Sequence, residues 1–145
     1  MESVRNFMIS RRNAREAVIG LVFETEFNKE GFDPAELLEV AIEERELPAD
    51  DYVKTCFFGI CGKLTDIDAE IEKHSSGWKV ERISKVSLSI LRLAVYELLF
   101  AENKLPYSIA INEAVELAKL YAEDGAASFV NGILNALAKA NNCEA

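Results

Sequence analysis

One histidine in 145 residues, His74, leaves no set of imidazoles with which to build a multi-histidine metal site. Cysteine is scarce too: Cys56, Cys61 and Cys143 are odd in number, lack CxxC spacing, and read as plain reduced thiols. No 18-residue apolar run occurs, because the greasiest stretch, Ile90 to Phe100, is interrupted by Arg92 and Glu97. A membrane span is therefore not expected. Glu2, Arg5, Arg11 and Arg12 occupy the region where a signal peptide needs an apolar centre, so a cytoplasmic protein is expected. No stretch alternates apolar and polar residues as a strand does, and no internal repeat or low-complexity segment is present. Phosphate-cradling glycine motifs and a GxSxG elbow are missing as well. Glu113 and Glu116 lack the Glu-x-x-His pairing of di-iron bundles. No catalytic residue, metal or cofactor is expected, and the chain is not read as an enzyme.

What is present is helical rhythm. Ser10 is a fitting N-cap for a helix running to about Phe27, with Ala14, Ala17, Val18, Leu21 and Val22 inward. Asn28 to Gly31 closes it, and Asp33-Pro34 opens a second helix with Leu37, Leu38, Ala41 and Ile42 inward. After Leu47-Pro48, the run Val53, Cys56, Phe57, Ile60, Leu64, Ile67 and Ile71 predicts one long helix. Gly59 and Gly62 inside it cost about 1 kcal/mol each against alanine and suggest close helix approach. His74-Ser75-Ser76-Gly77 is a polar, solvent-exposed linker, dividing a subdomain of about residues 1–74 from one of about 78–145. Beyond it, Lys85 to Phe100 carries Val86, Ile90, Leu93, Ala94 and Leu98 inward. Pro106 then opens a helix with Ile111, Ala114, Val115, Ala118, Tyr121 and Ala122 inward. The last helix buries Phe129, Val130, Ile133, Leu134 and Leu137. The fold class is all-α, with two small helical subdomains packed together in one domain that buries roughly 68–70% of its unfolded surface.

Charge is unevenly spread. The net charge is −9, yet residues 1–15 hold four arginines and one glutamate, leaving 12 basic and 24 acidic residues in the remainder. Such a basic end can hold a polyanion that the acidic body repels. Arg11, Arg12 and Arg15 lie off the apolar stripe of the first helix and are expected to point to water. At a helix N-terminus they oppose the macrodipole at a few tenths of a kcal/mol each. A solvated charged face explains them equally well on pattern alone. Phe129 and Trp78 fit a core at least as readily as a base-stacking platform. Arg92, Glu97, Asn112 and Glu113 border apolar stripes and are expected to form a structural polar network, since a buried charge without a partner costs several kcal/mol.

Five stretches together resemble one family. They are Arg11-Arg12-Asn13-Ala14-Arg15-Glu16, Trp78-Lys79-Val80-Glu81-Arg82-Ile83, Ile90 to Leu98, Pro106 to Ala114, and Phe129-Val130-Asn131-Gly132-Ile133-Leu134. Their order and spacing resemble the NusB family of transcription antitermination factors across nearly the whole chain, and the last two motifs are the specific ones. The resemblance implies two perpendicular helical subdomains and binding to the single-stranded boxA element of leader RNA, above all in ribosomal RNA operons. The implied partner is a ribosomal protein of the small subunit, called NusE in this role, with which the factor joins the RNA polymerase elongation complex. RNA contacts are then expected from Arg5, Arg11, Arg12, Arg15, Phe129 and Asn131. Three positions depart from the pattern: Ser87-Leu88 where an Asp-Arg pair is frequent, Ser128 where a lysine is frequent, and Asn13 within an arginine run. Two other readings stay open, a protein-only acidic helical adaptor and an RNA-targeting module similar to the N-terminal domain of ribosomal-RNA cytosine methyltransferases. Monomer and homodimer also both stay open.

Overall fold

A computed structural model describes residues 9–28 and 31–145, and among them every regular element is helical. Helix α1, Arg11–Thr25, starts where the Ser10 hydroxyl accepts the Asn13 N–H at 3.0 Å and ends two residues before the expected Phe27. Helix α2, Pro34–Glu44, begins with proline at its first position and with Asp33 accepting the Ala35 N–H, the arrangement that spares an amide the helix cannot use.

The expected long third helix is two helices, α3 at Asp51–Gly62 and α4 at Leu64–Lys73, separated at Lys63. Lys63 leaves helical geometry at φ −118° and ψ 18°, its N–H closing the last carbonyls of α3. Gly62, the poorest helix former before proline, sits at the break, and nothing lies within 4 Å of where its Cβ would be. It marks an end and not a close approach. Gly59 does mark one, because a Cβ there would overlap the Tyr96 ring. The apolar rhythm runs on through Ile67 and Ile71, both buried, so the break is invisible in the pattern.

The segment from His74 to Trp78 is a tight turn rather than an open linker. Ser75 is buried, its hydroxyl bonded to the Trp78 carbonyl at 2.6 Å, and Gly77 supplies φ 90°. The His74 side chain is largely covered, with Nε2 4.0 Å from Glu70, contrary to the expected exposure. A short 3₁₀ turn, Val80–Arg82, leads into α5, Lys85–Val95, which continues as one π turn through Tyr96–Phe100.

Helix α5 is the centre of the molecule. Every residue from Ser87 to Leu98 is buried, and α1, α3, α4, α6 and α7 all pack on it. A one-sided stripe was expected; the helix is instead covered on all sides, and the polar face of Ser89 and Arg92 is buried with internal partners. Helices α6, Tyr107–Tyr121, and α7, Ala126–Ala140, form an antiparallel hairpin whose short loop turns at Gly125, φ 88°. Tyr121, expected inward, is exposed and donates its hydroxyl to Glu16 at 2.6 Å. The buried apolar side chains form one continuous cluster from Ala14 to Ala138. Within it, burial pushes the Cys56 thiol up to about 12, and partial burial pushes that of Cys61 up to about 11, so both stay protonated. No helix among the described residues is long and apolar enough to cross a membrane.

Candidate nucleic-acid interface

The N-terminus of α1 meets the first turn of α3, the end of α5 and the start of α6, bringing three arginines together with two glutamates and a tyrosine. Arg11 is exposed and lies with its guanidinium 3.8 Å from the centroid of the Tyr52 ring, a cation–π stack. It makes no ion pair with a described residue. Arg12 donates from Nε to Glu113 Oε1 at 3.2 Å and from Nη2 to Oε2 at 3.0 Å, a two-bond fork. That fork raises the Arg12 pKa and, against the effect of partial burial, holds the Glu113 carboxyl below its ordinary range.

Arg15 does not point to water. It is 5% exposed, with Nε donating to Glu97 Oε2 at 2.9 Å and Nη1 3.5 Å from Glu113 Oε1. The Tyr52 hydroxyl donates to the same Glu97 oxygen. Burial raises the Glu97 pKa, an effect Arg15 offsets only in part. Arg15 repeats with Val18, Ile19 and Val22 at three, four and seven residues, so it belongs to the buried face of α1. A buried cation requires a buried partner, and Glu97 arrives from 82 residues away. The three arginines, Tyr52, Ile109 and Glu113 line a shallow depression of about 750 Å³.

The other expected residues fall in several places. Arg5 lies outside the described residues. Asn112 is exposed and its side chain makes no hydrogen bond to a described residue, so it stands apart from the expected polar network. Arg92 anchors a second cluster, donating to Asp68 from Nε at 2.9 Å and Nη2 at 2.8 Å, and to Glu26 from Nη1 at 2.7 Å. Burial lowers its pKa, but these bonds outweigh that and the net direction is up. The cluster lines a separate cavity of about 540 Å³, together with Leu88, one of the positions departing from the family pattern.

Phe129 and Asn131 sit on α7 in the loop half of the α6–α7 hairpin. Phe129 is half-buried and meets the edge of Trp78, ring centroids 6.1 Å apart at 73°. Trp78 is 51% exposed and shares a groove with Lys79 and Arg82, neither of which pairs with a described carboxylate. Asn131 is exposed; its side-chain oxygen accepts from Asn135 at 3.0 Å. The structure thus separates the candidate residues into an arginine patch at one end of α6 and an aromatic patch toward the other.

Tyr52 is the residue that sequence reasoning missed. It stacks on Arg11 and bonds Glu97, yet it flanks the apolar rhythm of α3 without belonging to it. Its one signal was an aromatic ring in a first turn that needed none.

The NusB family model matches residues 12–139. A transcription antitermination protein NusB from Natranaerobius thermophilus is 44% identical over 137 residues, covering 92% of this chain and 98% of the relative. Another, from Ruminiclostridium cellulolyticum, is 39% identical and covers 90% of each. Among solved structures, NusB of T. maritima superposes with a TM-score of 0.77 at 36% identity, covering 92% of this chain and 93% of that one. A complex of the antitermination factors NusB and NusE with double-stranded RNA contains a chain similar at TM-score 0.73 and 31% identity, covering 90% and 96%. Sequence and fold agree over nearly the full length, and the chain belongs to the NusB family.

Proposed function

We propose that this chain is a cytoplasmic, non-enzymatic transcription antitermination factor that binds boxA-type leader RNA of ribosomal RNA operons jointly with the small-subunit ribosomal protein NusE. In this reading the pair joins the elongating RNA polymerase complex. The observation that carries it is the arginine patch: Arg12 and Arg15 on two carboxylates and Arg11 stacked on Tyr52, two of the three exposed, on a chain whose remaining residues are strongly acidic. Exposed cations in the first turn of a helix oppose its dipole and add little to stability, so Arg11 and Arg12 are available for an anion, and a guanidinium fork suits phosphate. Phe129 and Trp78 then offer a stacking edge, and Asn131 an exposed amide for a base.

An acidic body repels RNA wherever the patch ends. A basic ribosomal protein docked on that body cancels the repulsion and extends the RNA-binding face, so partner and RNA bind cooperatively, with coupling on the order of 1–3 kcal/mol. The test is a titration of boxA-like single-stranded RNA, and of a duplex of the same sequence, with and without purified NusE. Tighter binding of the single strand in the partner's presence is the expected result. Equal affinities with and without NusE overturn the cooperative reading, and partner capture with no RNA binding at all selects the protein-only adaptor instead.

A further inference from the structure

We propose that Glu113 is a built-in competitor for RNA phosphate: it holds the Arg12 fork in the free protein and yields it to the RNA backbone. This inference rests on the RNA-binding reading of the arginine patch. The three arginines are graded in availability. Arg11 has no described carboxylate partner and is stacked on Tyr52, whereas Arg15 is fixed on Glu97 with its side chain 6% exposed. Arg12 is intermediate, its side chain 46% exposed and forked on a Glu113 that is itself only 18% exposed. The anchored member of the pair is the carboxylate and the swinging member is the cation.

Two features make the exchange feasible. A carboxylate forked on a guanidinium occupies the two donors that a phosphate would take, so the two ligands exclude each other on the same edge. When Arg12 leaves, Glu113 is not stranded, because Arg15 Nη1 lies 3.5 Å from its Oε1. One carboxylate shared by a fixed and a mobile arginine releases the mobile one without leaving an uncompensated charge. The pair that breaks is half-exposed, and such pairs contribute little net stability. Glu113 therefore subtracts from the electrostatic part of binding, which carries no sequence information, and leaves base contacts untouched. The consequence is a protein that adheres less to RNA in general.

The test uses the full chain as parent, Glu113→Gln, Arg12→Ala and the double variant. Each is titrated with a boxA-like strand and with a scrambled strand of equal length at several salt concentrations. Glu113→Gln is expected to bind both strands about two- to fivefold more tightly, the range for breaking one exposed pair, and the gain is expected to vanish in the Arg12→Ala background. A Glu113→Gln variant that stays folded and binds no tighter than the parent overturns the proposal and makes Glu113 a scaffold for Arg12. A gain that survives removal of Arg12 also overturns it, since the effect is then one of general charge. A parent that binds neither strand removes the RNA reading itself, and the competitor with it. A second measurement needs no variant: the Arg12 Nε–H nuclear magnetic resonance signal of the parent should shift on addition of RNA while that of Arg15 stays in place. An unmoved Arg12 signal overturns the exchange.

Discussion

Two arginines, Arg15 and Arg92, are buried to the same degree and paired with carboxylates from distant elements, yet their surroundings differ in charge balance. Around Arg92, two cations meet two carboxylates among the described residues: Arg92 uses Nε, Nη1 and Nη2 on Asp68 and Glu26, and Lys85 lies 3.5 Å from Glu26. Around Arg15, three cations meet two carboxylates among the described residues, and the cation left over, Arg11, faces solvent on Tyr52. The first cluster ties α1, α4 and α5 together with its described charges in balance. The unbalanced one does the same structural work between α1, α5 and α6 and leaves one positive charge over. Burial alone therefore does not distinguish the two clusters; the count of charges among the described residues does.

The largest expected effect breaks the structural half of that comparison. Arg92→Ala and Arg15→Ala each leave buried carboxylate without its cation and should cost about 3–5 kcal/mol of folding free energy, seen in chemical denaturation. Arg92→Lys should recover little of the loss, because an ammonium cannot fork on Asp68 while reaching Glu26. If Arg15→Ala melts like the parent while losing RNA, Arg15 is a binding residue and the shared structural role is wrong.

The next effect belongs to the aromatic patch. Trp78→Ala removes a half-exposed ring and should weaken binding of single-stranded RNA by about 1–3 kcal/mol, the worth of one stacked base. Phe129→Ala is expected to do likewise, with some loss of stability because Phe129 packs against the core. Full RNA affinity in both variants would confine the interface to the arginines. A smaller effect isolates the excess cation. Arg11→Ala should leave folding within about 0.5 kcal/mol of the parent and lower the logarithmic salt slope by about 0.7, one phosphate contact on a single strand. An unchanged slope returns Arg11 to an ordinary solvated face.

Much of this architecture was legible before any coordinates, because three-and-four spacing reports which side of a helix is covered. Helices α1, α2, α6 and α7 follow from it with small shifts at their ends. The same rhythm hid the break at Lys63, since a change of helix that keeps Ile67 and Ile71 on the core leaves the spacing intact. The expectation that Arg15 points to water went against that rhythm, since its position relative to Val18, Ile19 and Val22 is that of a buried residue; its charge outweighed its place in the pattern. The partner that makes burial tolerable, Glu97, is remote in sequence and visible only after folding. For the same reason Tyr52 was missed, and Asn112 was grouped with Glu113 although adjacent helical residues face different ways. Arg11 and Arg12 were legible as a basic end, but the latch on Glu113 was not, because nothing local to either residue announces the other.

The smallest expected effect concerns pH and tests whether that latch is an ion pair in solution. The Arg12 bonds hold the Glu113 carboxyl below its ordinary value of 4.5, so the folded chain binds that proton less readily than the unfolded one. The resulting stabilisation is complete above the ordinary glutamate range and is lost as pH falls from there through the lowered folded value. Glu97 runs the other way: burial raises its pKa, so its ionisation opposes folding and its contribution to stability fades as pH rises through the raised value. Comparing the parent with Glu113→Gln removes most of the Glu97 contribution, which both chains carry and which Glu113 alters least among its neighbours. The difference in urea midpoint between them should be constant at neutral pH and shrink in acid, and added salt should reduce it because Arg12 is half-exposed. A difference that does not change with pH would mean that Glu113 is held by packing alone, with no charge for phosphate to displace.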